Sequence, residues 1–514
     1  MKTSYLSNYI KLYFWQIIAI VLNFVSMFIV LPYLSSNKVI FGIYSLCLSF
    51  NIFLSYADLG FIGAGFKYAS EAFARKDKEG ELEVIGFTTF ILLIAVCIFS
   101  AVMLMGAFDP SLLISDIGNG SEIDIAKSMF FILSLFSITT VLQRVLQFIY
   151  GVRVEDFIVR KINILGHIAK ISSVFYFFRE GSYNIIGYYL FFQVVNLLCA
   201  LIGLVVARRI YSLDLKKLVK NIRFSWPVFY KVKSLALTSF IMSALWIAYY
   251  EIDSPVIAKF YGANKLAYYA IGLSLLSFLR SIFGILYSPF SARFNHFLGL
   301  RDEEGLKRFY YNTIVYLLPM SVFSVLTITI LMENIVFTWV GQQYSESIVT
   351  AQLLILTFLF AFNNYPAGIL LMGKEKNNEL RIVNLFIAVA FWLIILLLNN
   401  QYDYQSFAIS KLIVFSVSTV FYVYFTRDYI FGANKYIKEI IVPMFVGAIT
   451  TSVVAYYFSL ILPVGQSKAN LFLVAAACAI CCFCGLLSYF VSNSKFRKDI
   501  VSTVKETNYF KTSK

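Results

Sequence analysis

Apolar windows of roughly 18–25 residues recur fourteen times along this 514-residue chain, each long enough to cross about 30 Å of hydrocarbon. They lie at 12–34, 39–58, 84–108, 128–150, 162–179, 185–207, 234–254, 266–288, 311–332, 347–371, 382–399, 405–425, 440–463 and 469–491. Within a bilayer each backbone polar group has to be satisfied inside its own segment, so windows of this length are helices. The expected fold class is an all-α integral membrane protein of about 14 transmembrane helices. A chain that is 60% hydrophobic and 14% charged, with a mean hydropathy of +0.77, agrees, because soluble globular domains do not reach those values. The first window follows Lys2 and Lys11 but is longer than a signal-peptide core and has no small-x-small cleavage pattern after it. It is expected to be a retained first helix.

Lysine and arginine set the orientation. With the N-terminus in the cytoplasm, the inner segments hold 33 of the 43 bases, the outer loops 6 and the helices 4. That asymmetry follows the positive-inside rule and puts both termini on the cytoplasmic side. The net charge of +15 is then a topological signal plus attraction to the anionic inner leaflet, and gives no reason to expect nucleic acid as a partner. The segment 208–233 carries eight bases with Phe224, Trp226, Phe229 and Tyr230 among them, which reads as an amphipathic cytoplasmic linker at the membrane surface.

Tyr44, Leu48 and Ser49 recur as Tyr269, Leu273 and Ser274, all three at one common offset, at corresponding places in the second and eighth windows. The organisation expected from this repeat is an N-terminal lobe at 1–207 and a C-terminal lobe at 234–427 on either side of the linker 208–233. These two six-helix lobes are related by pseudo-two-fold symmetry about an axis along the membrane normal. Residues 428–514 add two further helices and a basic cytoplasmic tail.

Four bases fall inside windows: Arg144, Lys170, Arg280 and Lys411. Facing lipid, they would together cost roughly 10–14 kcal/mol. They are therefore expected to border a cationic cavity suited to a negatively charged cargo, Arg144 and Arg280 gripping it first because guanidinium matches phosphate bidentately. Gln147 shares a face with Arg144, and His167 shares one with Lys170. Gln16 and Asn23, with Ser26, form a stripe on the first helix. Together with Gln147 and His167 they are candidates for a sugar path, interhelical hydrogen bonding being the alternative. Asn363, Asn364 and Pro366 interrupt the tenth window, where a kink is expected at the proline. Asp58, Glu251 and Asp253 are the acids at comparable depth, candidates for binding a coupling ion (H+ or Na+) or for pairing with a base.

Chemistry on the cargo is not expected. Cys478, Cys481, Cys482 and Cys484 sit on one apolar helix with no histidine near, and one helix does not wrap a tetrahedral ion, so no metal is expected. There is no phosphate-cradling Gly-rich loop and no metal-ligand set, and the chain reads as no enzyme, with no cofactor.

Three stretches resemble the Wzx-type polysaccharide or O-antigen flippases of the multidrug/oligosaccharidyl-lipid/polysaccharide exporter (MOP) superfamily. LPYLSSNKVIFGIYSLCLSFNIFLSYADLGF, from Leu31 to Phe61, is similar to the family's first loop and second helix, with Gly42 to Ser45 and Asp58 to Gly60 in the matching places. DSPVIAKFYGANKLAYYAIG, from Asp253 to Gly272, is similar to the start of its second half, although Ala267 stands where the family has glycine. VGQQYSESIVTAQLLIL, from Val340, is similar to its ninth loop. The likeness runs in pattern over most of residues 1 to 430. It implies a flippase that moves polyprenyl-pyrophosphate-linked oligosaccharide across the bacterial inner (cytoplasmic) membrane by alternating access, for capsule or lipopolysaccharide synthesis. Membrane lipids and other polysaccharide-assembly proteins are the implied partners. Fourteen helices also resemble the related lipid II flippases, whose last pair holds the lipid tail. The alternatives are such a lipid II-type flippase, a cation-coupled multidrug exporter, whose cationic cargoes four bases would repel, and a polyspanning glycan polymerase or ligase. For the last, the longest outer loop, 109–127, is short.

Overall fold

A computed structural model describes residues 2–56, 60–118, 120–179 and 182–501, with the side chains of 2–10, 55, 285, 288, 289, 292 and 433 also left out of the description. Asp58 lies outside the described residues. Packing divides the chain into two compact units, 1–270 and 271–514. The first contains α1 (Lys2–Leu34), α2 (Lys38–Tyr56), α3 (Phe61–Ala74), α4 (Lys78–Phe108), α5 (Gly120–Phe136), α6 (Ile138–Gly151), α7 (Phe157–Phe177), α8 (Ile185–Tyr211), α9 (Leu215–Lys220) and α10 (Trp226–Trp246). The boundary falls within α11 (Asp253–Gly299). The second unit continues with α12 (Glu303–Ile330), α13 (Met332–Trp339), α14 (Ser347–Leu356), α15 (Ala361–Gly373), α16 (Asn377–Tyr402), α17 (Gln405–Thr426), α18 (Ala433–Tyr436), α19 (Val442–Ile461) and α20 (Lys468–Ser492).

Among the described residues ten helices are long and apolar enough to cross a membrane, or eleven if the bent pair α14 and α15 makes one span. One of the ten runs from Trp226 to Gly284 and takes in two of the fourteen windows, with two helices meeting at a kink inside the expected loop at 255–265. The helical path breaks only at Gly262, whose φ of +83 suits a residue without a Cβ. At 19 residues, α2 presents a shorter apolar stretch, Lys38–Leu54. The window 234–254, expected to open the second lobe, packs in the first unit through α10 against α3.

Local sequence accounts for the helix ends. Asp77, Asn184, Asp214, Asp302 and Ser467 each cap a helix, the side chain accepting a backbone N–H of the first turn. Gly42 of the quoted motif lets α2 touch a neighbouring backbone: a Cβ there would sit 1.9 Å from the Ala263 carbonyl oxygen. Gly60 opens α3 in the left-handed region, at φ +76, against the backbone of α10.

One feature recurs at the interval already seen in the sequence. Asp77 caps α4 and Asp302 caps α12, separated by the same offset as Tyr44 and Tyr269, each accepting from a glycine three positions on (Gly80, 2.9 Å; Gly305, 2.8 Å). The residue before each cap, Lys76 or Arg301, is left-handed. Just inside each helix an acid meets a base from a distant turn: Glu81 pairs with Arg153 at 2.7 Å, and Glu303 with Lys374 at 2.6 Å. Each base is followed by a left-handed residue, Val154 or Glu375, and lies over a tyrosine ring near the end of a third helix. Arg153 is 4.8 Å from Tyr211, and Lys374 is 5.0 Å from Tyr429. Each unit thus holds its own clasp, joining three helix ends.

The bend in the tenth window falls at 357–360, not at Pro366, which lies inside α15. Between the two helices, tilted by 46°, the backbone closes tighter i+3 bonds, and Ser321 of α12 donates to the Phe358 and Leu359 carbonyls (3.1 and 3.3 Å). A break whose carbonyls find such a partner is stable, and Pro366 lies inside the helix that follows it.

Candidate functional site

The best-defined base inside an expected span is Lys170, in the middle of α7, a helix that is not among the ten long and apolar enough to cross a membrane. It is 6% exposed, donates to Asn196 Oδ1 at 2.6 Å and lies 4.0 Å over the Phe192 ring. An amide oxygen and an aromatic face each stabilise an ammonium ion, and neither brings a negative charge.

Asn196 belongs to a polar face of α8. Tyr189, Gln193 and Asn196 follow at i, i+4 and i+7, and Gln193 donates to the Tyr189 hydroxyl at 3.0 Å. Tyr44 of α2 meets the Tyr189 ring edge-on at 6.0 Å. The sequence reading missed this face. Its signal was two amides three positions apart in a window of mean hydropathy 2.5.

The first helix runs parallel to α7. Lys161 lies 4.9 Å over the Trp15 ring, and Tyr33 meets Phe175 at 6.0 Å. That register puts Asn23 and Ser26 at the level of His167 and Lys170, with Gln16 about two turns nearer the helix start. His167 is half-buried one turn before Lys170, and Asn23 is exposed.

The remaining candidates are placed separately. Arg144 of α6 is partly exposed and donates to Gln147 Oε1 at 2.7 Å, so these two are brought together as their spacing implied. Glu251 ends a π-helical turn, Ile247–Glu251, and accepts from the Trp246 indole at 3.3 Å. Asp253 accepts from the Tyr269 hydroxyl, one of the residues of the repeat. The two acids thus face different partners. π-Helical turns inserted in helices are frequent at functional sites.

In the second unit Lys411 is fully buried on α17. Arg280 is partly exposed on α11, two turns before Tyr287, whose ring stacks on Tyr365 at 4.6 Å and 9°. Tyr287 donates to the Ala361 carbonyl at 2.8 Å, and Asn364 donates to Thr419 at 3.0 Å, tying α15 to α11 and α17. No described candidate residue lines the apolar pocket of about 220 Å³ formed by Phe53, Tyr56, Phe99, Phe240, Ser243, Ala244 and Ile247. Among the described residues no group of His, Cys, Asp and Glu is arranged to hold a metal.

No family model matches the sequence, and no curated protein does. Solved structures do match. The lipid II flippase MurJ in an inward closed conformation aligns with a TM-score of 0.67 at 13% identity, over 96% of this chain and 100% of that one. An inward-facing multidrug resistance transporter of the MATE family of the MOP superfamily aligns with a TM-score of 0.62 at 15% identity, over 78% and 94%. An outward-facing structure of such a transporter aligns with 0.56 at 14%, over 82% and 94%. The chain is a multi-pass, all-helical membrane protein with the fold of MOP-superfamily transporters.

Proposed function

We propose that this protein is a flippase that carries a polyprenyl-pyrophosphate-linked oligosaccharide across the bacterial cytoplasmic membrane by alternating access, in the synthesis of cell-surface polysaccharide. The observation that carries the proposal is Lys170, buried at 6% exposure yet held by an amide and a ring, with no acid on it among the described residues. A diphosphate is the kind of group that repays keeping such a charge inside a membrane. Arg144, Arg280 and Lys411 complete the cationic set in this reading. Gln16, Asn23, Gln147 and His167 supply hydrogen bonds to sugars, while Asp58, Glu251 and Asp253 take the coupling proton or sodium ion.

The reading takes fourteen crossings with both termini inside, as two six-helix repeats, 1–207 and 234–427, around the linker 208–233, with 428–514 as an addition. The clasps, with their caps Asp77 and Asp302 at the common offset, support the repeat. Related folds solved in inward- and outward-facing conformations support alternating access. A lipid II-type cargo is the second reading, favoured by an alignment that takes in the whole of that flippase and 96% of this chain.

The test is transport in proteoliposomes of a fluorescent polyprenyl-diphosphate oligosaccharide, scored by its accessibility to a membrane-impermeant quencher. The wild type is expected to move it and Lys170→Ala to lose at least about tenfold in rate, the effect of roughly 1.4 kcal/mol. Unchanged transport by Lys170→Ala overturns the proposal. Faster movement of lipid II than of any other lipid-linked glycan selects the second reading.

A further inference from the structure

Four bases of the second unit converge where three helices reach one side of the membrane. Lys307 and Arg308 lie in the second turn of α12, Lys435 in α18 just before α19, and Lys495 just after α20. The candidate spans Glu303–Ile330, Asn434–Ile461 and Lys468–Ser492 begin or end within a turn or two of these residues, so the cluster sits at a membrane–water boundary. That side carries the excess of basic residues.

The floor of the cluster is a pair of rings, Tyr311 and Phe431, meeting edge-on at 5.2 Å. Lys495 lies 4.1 Å over Tyr311, Lys435 is 5.8 Å from Tyr311 and 4.8 Å from Phe431, and Lys307 is 5.3 Å from Phe431. Two acids are near, and each accepts a tyrosine hydroxyl: Glu439 from Tyr311 and Asp499 from Tyr316, both at 2.9 Å. Three lysines at the floor, with Arg308 in electrostatic reach of Lys495, outnumber the two acids beside them. Partial burial is the main cause holding the Lys495 ammonium below its ordinary pKa, with Lys435 and Arg308 adding to it against the opposing pull of Glu439 and Asp499.

We infer that Lys307, Lys435 and Lys495, over the Tyr311–Phe431 floor, with Arg308 in electrostatic reach of Lys495, form a binding site for the phosphate headgroup of an anionic membrane lipid. Lysine is suited to a phosphate as a mobile point charge, and the aromatic floor sits at headgroup depth. The inference stands apart from the transport reading, since it concerns a site at the membrane surface and no translocation. Two lipids offer this chemistry: a resident phospholipid with an acidic headgroup, and a polyprenyl diphosphate.

Native mass spectrometry of the full chain, with phosphatidylglycerol, phosphatidylcholine or a polyprenyl diphosphate added in turn, tests it. The wild type is expected to retain phosphatidylglycerol or the polyprenyl diphosphate roughly ten- to thirty-fold more than phosphatidylcholine, about the effect of two lysines. The double variant Lys435→Gln/Lys495→Gln is expected to lose that preference, as Lys435→Gln does in part, with its exposed side chain and no burden on folding. Lys438→Gln, an exposed neighbouring charge, is expected to keep it. Preference for phosphatidylglycerol alone assigns the site to a resident phospholipid; preference for the diphosphate, displacing phosphatidylglycerol, assigns it to the polyprenyl lipid. Equal retention of phosphatidylcholine by the wild type, or preference surviving in the double variant, overturns the inference.

Discussion

The two clasps occupy equivalent places in the two units, yet they are built for different strengths. In the first, the Arg153 and Glu81 side chains are 14% and 6% exposed, and the guanidinium is sandwiched between the Phe73 and Tyr211 rings at 4.7 and 4.8 Å while donating to the Ile149 carbonyl at 2.7 Å. In the second, Glu303 is 63% exposed, and Lys374 brings a point charge over a single tyrosine. A planar guanidinium bonds and stacks at once, and in a buried place it has to. An ammonium on an exposed carboxylate makes a bond that water competes with. The same turn-and-cap sequence therefore gives a fixed joint in one unit and a loose one in the other.

The comparison breaks if Arg153 is dispensable. Arg153→Ala strands Glu81 in a buried position, and a loss of about 3–5 kcal/mol of stability is expected, read as thermal unfolding of the purified protein in detergent. Arg153→Lys converts the first clasp toward the second. It keeps the charge but loses the forked bonding and much of the stacking, for an expected loss of about 1–2 kcal/mol in the same melt. Gly80→Ala and Gly305→Ala probe what the units share. A Cβ would come 2.3 and 2.2 Å from the capping carboxylates of Asp77 and Asp302, so each is expected to lose about one cap, near 1 kcal/mol, and by equal amounts. Lys374→Ala should be the mildest, under about 1 kcal/mol and smaller still in high salt, as unfolding at two ionic strengths will record.

Much of the fold was legible in the chain. The windows fall largely on helices, and among the described residues ten helices, or eleven with the bent pair, are long and apolar enough to cross a membrane; the caps at Asp77 and Asp302 stand at the same offset as Tyr44 and Tyr269. Element breaks were less legible. The bend at 357–360 depends on Ser321, on a different helix, taking up carbonyls, so the local proline misled. The break expected at 255–265 narrows to Gly262, where two helices meet at a kink.

The candidate site divides the same way. That Lys170 is an ionisable group within an apolar stretch followed from its neighbours in the sequence. That its partners are Asn196 and Phe192 was settled by the packing of α7 on α8, since a single amide in an apolar run does not announce which helix it will meet. Glu81 and Arg153 are far apart along the chain, and nothing in it pairs them. Sequence fixes which segments leave water, because transfer free energy is a property of the segment. Which buried charges meet is a property of contacts between segments, and only tertiary structure decides it.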